Sequence, residues 1–517
     1  MSTIPAELWA AFEDYERAIG ADDVAALDDA FAPGADTLRG DKDGLLVGRD
    51  AISAFRGARG GVAPRTLDRV ESRRLADDCW LLVATSRYVG GGTGLQTQVW
   101  QLADGRWRIT AAHVTGRTPS FDRAVWRTVG DPLYQGAFTG PLLGLRVAVK
   151  DLFAVKGYRI GAGNPTWLHD APRERQHAPA VLDLLRGGAS VRGLARTDEL
   201  AYSIAGANAH YGTPVNGAVP GALPGGSSSG PASAVSTGQA DVGLASDTGG
   251  SIRVPASYQG LWGLRTTHGL VPRQGMVPLA PSFDTVGWLT RDGATLEAVA
   301  TWCLESALDE PASPSALDEP SLPDRLVVPR EVLAATEPAT RVAFEAWCAG
   351  RSVEPVDVGP LDDWFETFRV VQAAEAWRTH GTWFDEHPGA TGTATTERFA
   401  FAATITAERE AAARSQLASL AVRVRALVAN AVLVLPTAPG PAPARNAPAD
   451  ELERVRAATL RMTALAGIGG LPALSVPALR VDSTLGPAPV GVCLVGPRGS
   501  DLSLVRYARR LTVGELS

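Results

Sequence analysis

Leu8, Phe12, Tyr15 and Ile19 follow 4-3-4 spacing, which puts four apolar side chains on one face of a helix near the start of the chain. Val24, Leu27 and Phe31 predict a second short helix after Asp22-Asp23, and Ile52 with Phe55 a third after Gly48. Strand-like runs follow at 79–89 and 95–102. The second of these meets a third, at 107–114, through Asp104-Gly105, a pair that accepts the positive φ angles of a tight hairpin. From about Gly130 the pattern changes. Short apolar runs at 146–149, 240–245 and 432–435 alternate with helical segments, and helical periodicity returns over 404–430 and 452–466. Such alternation predicts an α/β domain with a mixed central sheet flanked by helices. The expected organisation is a small α+β domain over 1–122 and a larger α/β domain over 123–517.

Helices first and a curved antiparallel sheet after them, with Gly48-Arg49-Asp50-Ala51-Ile52 and Trp107-Arg108-Ile109-Thr110-Ala111-Ala112-His113-Val114, resembles the SnoaL-like or ketosteroid-isomerase-like cone fold. The resemblance implies a fold and leaves the role open, since cone folds host both binding and catalysis. The expected role is an interaction module that makes the chain a homodimer. The alternative is a second catalytic pocket, with Asp50 and His113 as its polar residues.

Composition narrows the partners. A net charge of −7 over 517 residues, with a pI near 5.6, argues against a nucleic-acid or anionic-membrane surface. No apolar run is long enough to cross a bilayer. Residues 1–20 lack the continuous apolar core of a signal peptide, so the expected compartment is the cytoplasm. Cys79, Cys303, Cys348 and Cys493 are far apart and read as reduced thiols, not a disulfide frame or zinc site. Ser-Ala-Leu-Asp-Glu-Pro occurs twice, at 306–311 and 315–320, in an acidic, Pro-rich stretch expected to be a solvated loop.

The candidate chemistry lies in two Gly-rich turns. Gly225-Gly226-Ser227-Ser228-Ser229-Gly230 presents Ser227, and Asp247-Thr248-Gly249-Gly250-Ser251-Ile252-Arg253 presents Ser251. Glycines let a backbone approach a ligand closely, and a helix starting just after Ser251 would aim N–H groups at one point. Each turn alone reads equally well as a capping turn. Lys150 ends the apolar run Leu145-Arg146-Val147-Ala148-Val149. A lysine base must be neutral, which requires desolvation or a neighbouring cation to lower its pKa.

Lys150, Ser227 77 residues on and Ser251 24 further share the order and spacing of the amidase signature family. The resemblance also covers Gly144 to Asp151, Gly212-Thr213-Pro214-Val215-Asn216, Pro224 to Gly230 and Asp247 to Ala256. It extends to Gly470-Leu471-Pro472-Ala473, Pro489-Val490-Gly491 and 495–501. It implies a serine amidohydrolase that needs no cofactor or metal and acts on a small-molecule amide. Ser251 is implied as nucleophile, Ser227 as a bridging serine after a cis peptide bond, and Lys150 as base. The backbone N–H groups of Thr248, Gly249 and Gly250, with that of Ser251, are implied as the oxyanion hole. Asp247 and Arg253 are expected to brace the turn.

Ser229 stands where the commonest form of the loop has Gly. Gly163-Asn164-Pro165-Thr166-Trp167, Glu199-Leu200-Ala201-Tyr202-Ser203 and Glu375-Ala376-Trp377-Arg378-Thr379-His380-Gly381 resemble plant indole-3-acetamide hydrolases and their chloroplast-envelope relatives. By that resemblance Ala201, Tyr202 and Ser203 contact the scissile amide. Trp377, His380 and Trp383 fall on one side of a helix, and Trp377 and His380 line a pocket for an aromatic or apolar acyl group. The same helix face reads equally well as packed core. The envelope relatives are receptors that lack catalytic residues, which makes a binding protein the alternative. An amidotransferase subunit that needs a partner is a further one.

Overall fold

The computed structural model describes residues 4–21, 23–41, 44–59, 65–88, 93–118, 122–306 and 322–513, in two compact units over 1–121 and 122–517. Apart from Ser306, which ends the helix Gly293–Ser306, the Ser-Ala-Leu-Asp-Glu-Pro repeat lies outside the described residues.

In the first unit the helix read from Leu8 and Phe12 spans Ala6–Ala21 and buries both. Asp23 caps the helix Val24–Asp29 by accepting from the Ala26 N–H at 3.0 Å. A third helix spans Arg49–Arg59. The sheet is six-stranded, in the order Gly44–Val47, Leu38–Asp41, Arg106–Thr118, Thr93–Ala103, Cys79–Tyr88, Arg65–Ala76. Asp104 (φ +53°) and Gly105 (φ +74°) form the expected two-residue turn. Arg65–Ala76 is a strand the sequence does not announce. Ten of its twelve residues are exposed, so it carries no apolar alternation, and pairing with Cys79–Tyr88 holds it in place. Asp50 and His113 are both exposed, which counts against the alternative of a second catalytic pocket built on them. A part-buried polar cluster lies elsewhere: Glu16 accepts from Arg65 at 2.8 Å and from Gln96 at 2.5 Å.

The second unit is built on an eleven-stranded mixed sheet. Its order is Val353–Val356, Leu326–Pro329, Val432–Pro436, Gly486–Val495, Ala473–Ser483, Trp262–Arg265, Thr285–Thr290, Val242–Asp247, Arg146–Lys150, Ser190–Ala195, Trp126–Tyr134. Central strands such as Val242–Asp247 and Thr285–Thr290 are buried on both faces, which explains their near-continuous apolar character. What positions the site is one parallel trio. Arg146–Lys150 pairs with Val242–Asp247 on one side, Val149 opposite Leu244, and with Ser190–Ala195 on the other, Lys150 opposite Ala195. All three strands therefore end at the same edge, where ligands bind in open α/β sheets. Among the described residues no helix is long and apolar enough to cross a membrane.

Candidate active site

Lys150 reaches that edge as the last residue of its strand, and its side chain is fully buried. Its Nζ donates to Ser227 Oγ at 2.8 Å, Ser228 Oγ at 2.9 Å and Ser246 Oγ at 3.0 Å. Among the described residues no carboxylate pairs with it directly, so loss of water dominates and pulls the pKa from its ordinary 10.5 to about 7. The attraction of Asp198, Asp247 and Asp284 opposes this without reversing it. Ser228 and Ser246 as partners of this lysine were missed in the sequence, because a serine beside a motif serine carries no signal of its own.

The Ser227 turn is held from beneath by Asp198, three residues past Ser190–Ala195. The peptide bond before Ser227 is cis. The Ser227 carbonyl accepts from Thr197 Oγ1 at 2.9 Å and the Asp198 N–H at 3.1 Å. The Asp198 carboxylate accepts from the Gly206 N–H at 2.9 Å and Ser229 Oγ at 3.0 Å. A hydroxyl at 229 thus has a partner that the commoner glycine would lack. Burial raises the pKa of Asp198 against these hydrogen bonds. At Gly226 a Cβ would come within 2.2 Å of Asp198 Oδ2, so only glycine fits there.

Asp247 organises the Ser251 turn. It is fully buried and accepts from Arg253 Nη2 at 2.9 Å, Arg265 Nη1 at 3.1 Å and the N–H groups of Gly250 and Ile252 at 2.9 and 3.1 Å. The two guanidiniums outweigh its burial and hold its carboxyl far below the usual range. Arg253 braces the turn as expected, while Arg265 was not foreseen. Asp247→Ala would leave both arginines buried without their carboxylate. It is expected to destabilise the fold by about 3–5 kcal/mol, read as a lower urea midpoint at unchanged slope.

The same bond corrects one expectation. The Gly250 N–H already donates to Asp247, so it is not a free donor for an oxyanion. Those of Thr248, Gly249 and Ser251 donate to nothing among the described residues. Gly250 is needed for its backbone, at φ +118°. The Ser228 N–H donates to the Ser251 carbonyl at 3.3 Å and ties the two turns together.

Ser251 opens on a small cavity of about 10 Å³, room for roughly one water. Ala201, Tyr202 and Ser203 line it with Thr248 and Gly249, so the structure brings these predicted residues together. Leu200 and Ala201 both have positive φ, +48° and +56°, a left-handed pair that costs roughly 1–2 kcal/mol per residue. Trp377 and His380 line neither this cavity nor the larger one beside it. His380 Nε2 lies 2.8 Å from the Pro278 carbonyl, and its ring packs at 5.5 Å on Trp167 and 6.1 Å on Phe399. Trp377 packs on Phe384. The aromatic face is core, which corrects the expected acyl pocket. The wall is formed instead by Gln372, one or two turns earlier on the helix Leu361–Glu386, and by Leu279, Leu460 and Arg456. The larger cavity, about 520 Å³, shares Tyr202, Ser203, Gln372 and Arg456 with the small one.

The amidase family model matches residues 127–331, the segment that holds all of these turns. Amidase 1 of Arabidopsis thaliana is 36% identical over 397 residues, which are 70% of this chain and 92% of that protein. This chain belongs to the amidase family. A solved amidase superposes with a TM-score of 0.66 at 28% identity, covering 76% of this chain and 92% of its own. The amidase is also similar to the translocon at the outer membrane of chloroplasts 64 of Pisum sativum, 30% identical over 71% of this chain and 65% of that one. A second model, AtzH-like, matches residues 1–118, so this amidase carries a separate N-terminal AtzH-like domain of α+β character. As a family member it is a hydrolase acting on C–N bonds.

Proposed function

We propose that this amidase hydrolyses a small carboxamide through Ser251, Ser227 and Lys150, with an acyl-enzyme on Ser251. The observation that carries the reading is Lys150: a buried amine 2.8 Å from Ser227, with its pKa brought to about 7. At neutral pH about half of such amines are free to take a proton, against roughly 0.04% of ordinary lysines.

Ser251 Oγ attacks the carbonyl carbon while its proton passes to Ser227, whose own proton goes to Lys150. The oxygen that becomes negative is met by the N–H groups of Thr248, Gly249 and Ser251, donors that have no partner among the described residues. As the C–N bond breaks, Ser227 gives its proton to the leaving nitrogen and is reprotonated by Lys150. Water then attacks the ester by the same relay and releases the carboxylate. Leu279, Leu460 and Tyr202 line the cavity at Ser251 and offer apolar surface to the acyl segment next to the reacting carbonyl.

Labelling with a fluorophosphonate, followed by peptide mass spectrometry, tests this. The purified chain alone is expected to carry the adduct on Ser251 and to hydrolyse small amides without a second protein. A folded chain that takes no label would instead be a binding protein on the same scaffold.

A further inference from the structure

Arg398 is a guanidinium that no carboxylate among the described residues contacts directly. It lies on the helix Thr393–Ala403, half-buried, on the wall of the 520 Å³ cavity that adjoins the Ser251 cavity. Among the described residues no hydrogen bond or ion pair joins it to another side chain. Arg456 pairs through Nη1 with Glu453 at 3.0 Å, while its buried Nε has no partner. Arg369 pairs with Glu366 at 2.7 Å. Of the other two glutamates on the wall, Glu199 meets Asn164 at 2.7 Å and His210 at 2.6 Å, and Glu397 is exposed. Burial, and then repulsion from Arg456, pulls the Arg398 pKa down to about 10 against the attraction of Glu453 and Asp198, a penalty that a bound anion in direct contact would relieve. Arg398, Arg456 and Arg369 all bear on the Tyr202 phenol, at the common wall of the two cavities.

We propose that Arg398, with Arg456 beside it, binds a carboxylate at the far end of the substrate, so that the amide cleaved is a half-amide of a short dicarboxylic acid. The inference rests on the acyl-transfer reading above. A guanidinium fork matches the two oxygens of a carboxylate, and in a sheltered cavity that pairing is stronger than in open water. The carbonyl oxygen of the reacting amide takes the water-sized space at Ser251, the carbon chain passes Tyr202, and the carboxylate extends into the larger cavity.

The test measures protection of Ser251 from the fluorophosphonate by half-amides of malonic to adipic acid, each against the uncharged diamide of the same acid. The best half-amide is expected to protect at concentrations about 10- to 100-fold lower than its diamide, the range of a charge-assisted hydrogen bond. Its kcat/KM should be higher by a similar factor. Arg398→Gln should close the gap, and Arg398→Lys, which keeps the charge but not the fork, should restore part of it. Equal protection by half-amides and diamides in the wild-type chain overturns the assignment, as does a gap that persists in Arg398→Gln. A wild-type chain that takes no label at all overturns the acyl-transfer reading first, and the inference with it.

Discussion

Ser251→Ala is expected to lower kcat for amide hydrolysis by about 10⁴-fold or more while leaving the protein folded. The size of the loss follows from the role: without the hydroxyl there is no atom to carry the acyl group, and only binding and oxyanion donors remain. The small effect on folding follows from the surroundings. Ser251 Oγ holds nothing else in place among the described residues, since the turn is braced by Asp247, Arg253 and Arg265. Steady-state kinetics with an ammonia-release assay, paired with urea unfolding, measures both halves. A variant that keeps a tenth of the wild-type rate would remove Ser251 from the mechanism.

Lys150→Met is expected to cost about 10²–10⁴-fold in kcat, the usual contribution of a general base. The pH dependence separates this role from a structural one. The base is the neutral amine, so wild-type activity should climb with pH through about 7 and level off above it. The variant should lose that rise. Stability carries the same signature. Below about pH 7 both the folded and the unfolded chain hold the lysine proton. Between about 7 and the ordinary 10.5 the unfolded chain binds a proton that the folded chain does not. Stability from this group therefore increases with pH across that window and is flat on either side. Lys150→Met should flatten the window in urea melts taken at several pH values. A profile that the substitution leaves unaltered would mean that Lys150 does not titrate there.

The architecture was legible wherever burial leaves a pattern. Leu8, Phe12 and Tyr15 marked the first helix, Asp104-Gly105 its hairpin, and the run ending in Lys150 a central strand. Arg65–Ala76 was not, because a strand exposed along most of its length owes its place to backbone pairing and not to side-chain type. The reacting groups were legible through spacing along the chain. Their supports were not. Arg265 reaches Asp247 from 18 residues away and Asp198 reaches Ser229 from 31, contacts that depend on how strands stack across the sheet. Trp377 and His380 shared a helix face as expected. A helical pattern fixes which residues face the same way, and it leaves unstated whether that side meets protein or a cavity.

The Ser251 cavity has space for roughly a single water-sized molecule, and on the acyl-enzyme route that limits the order of events. Ammonia and the hydrolytic water would need the same volume. The nitrogen product must then depart before the second half-reaction starts, and the acid leaves last. On this route, ammonia returning to the site would compete with water for the ester and remake the starting amide, giving a two-stroke cycle with a fixed exit order.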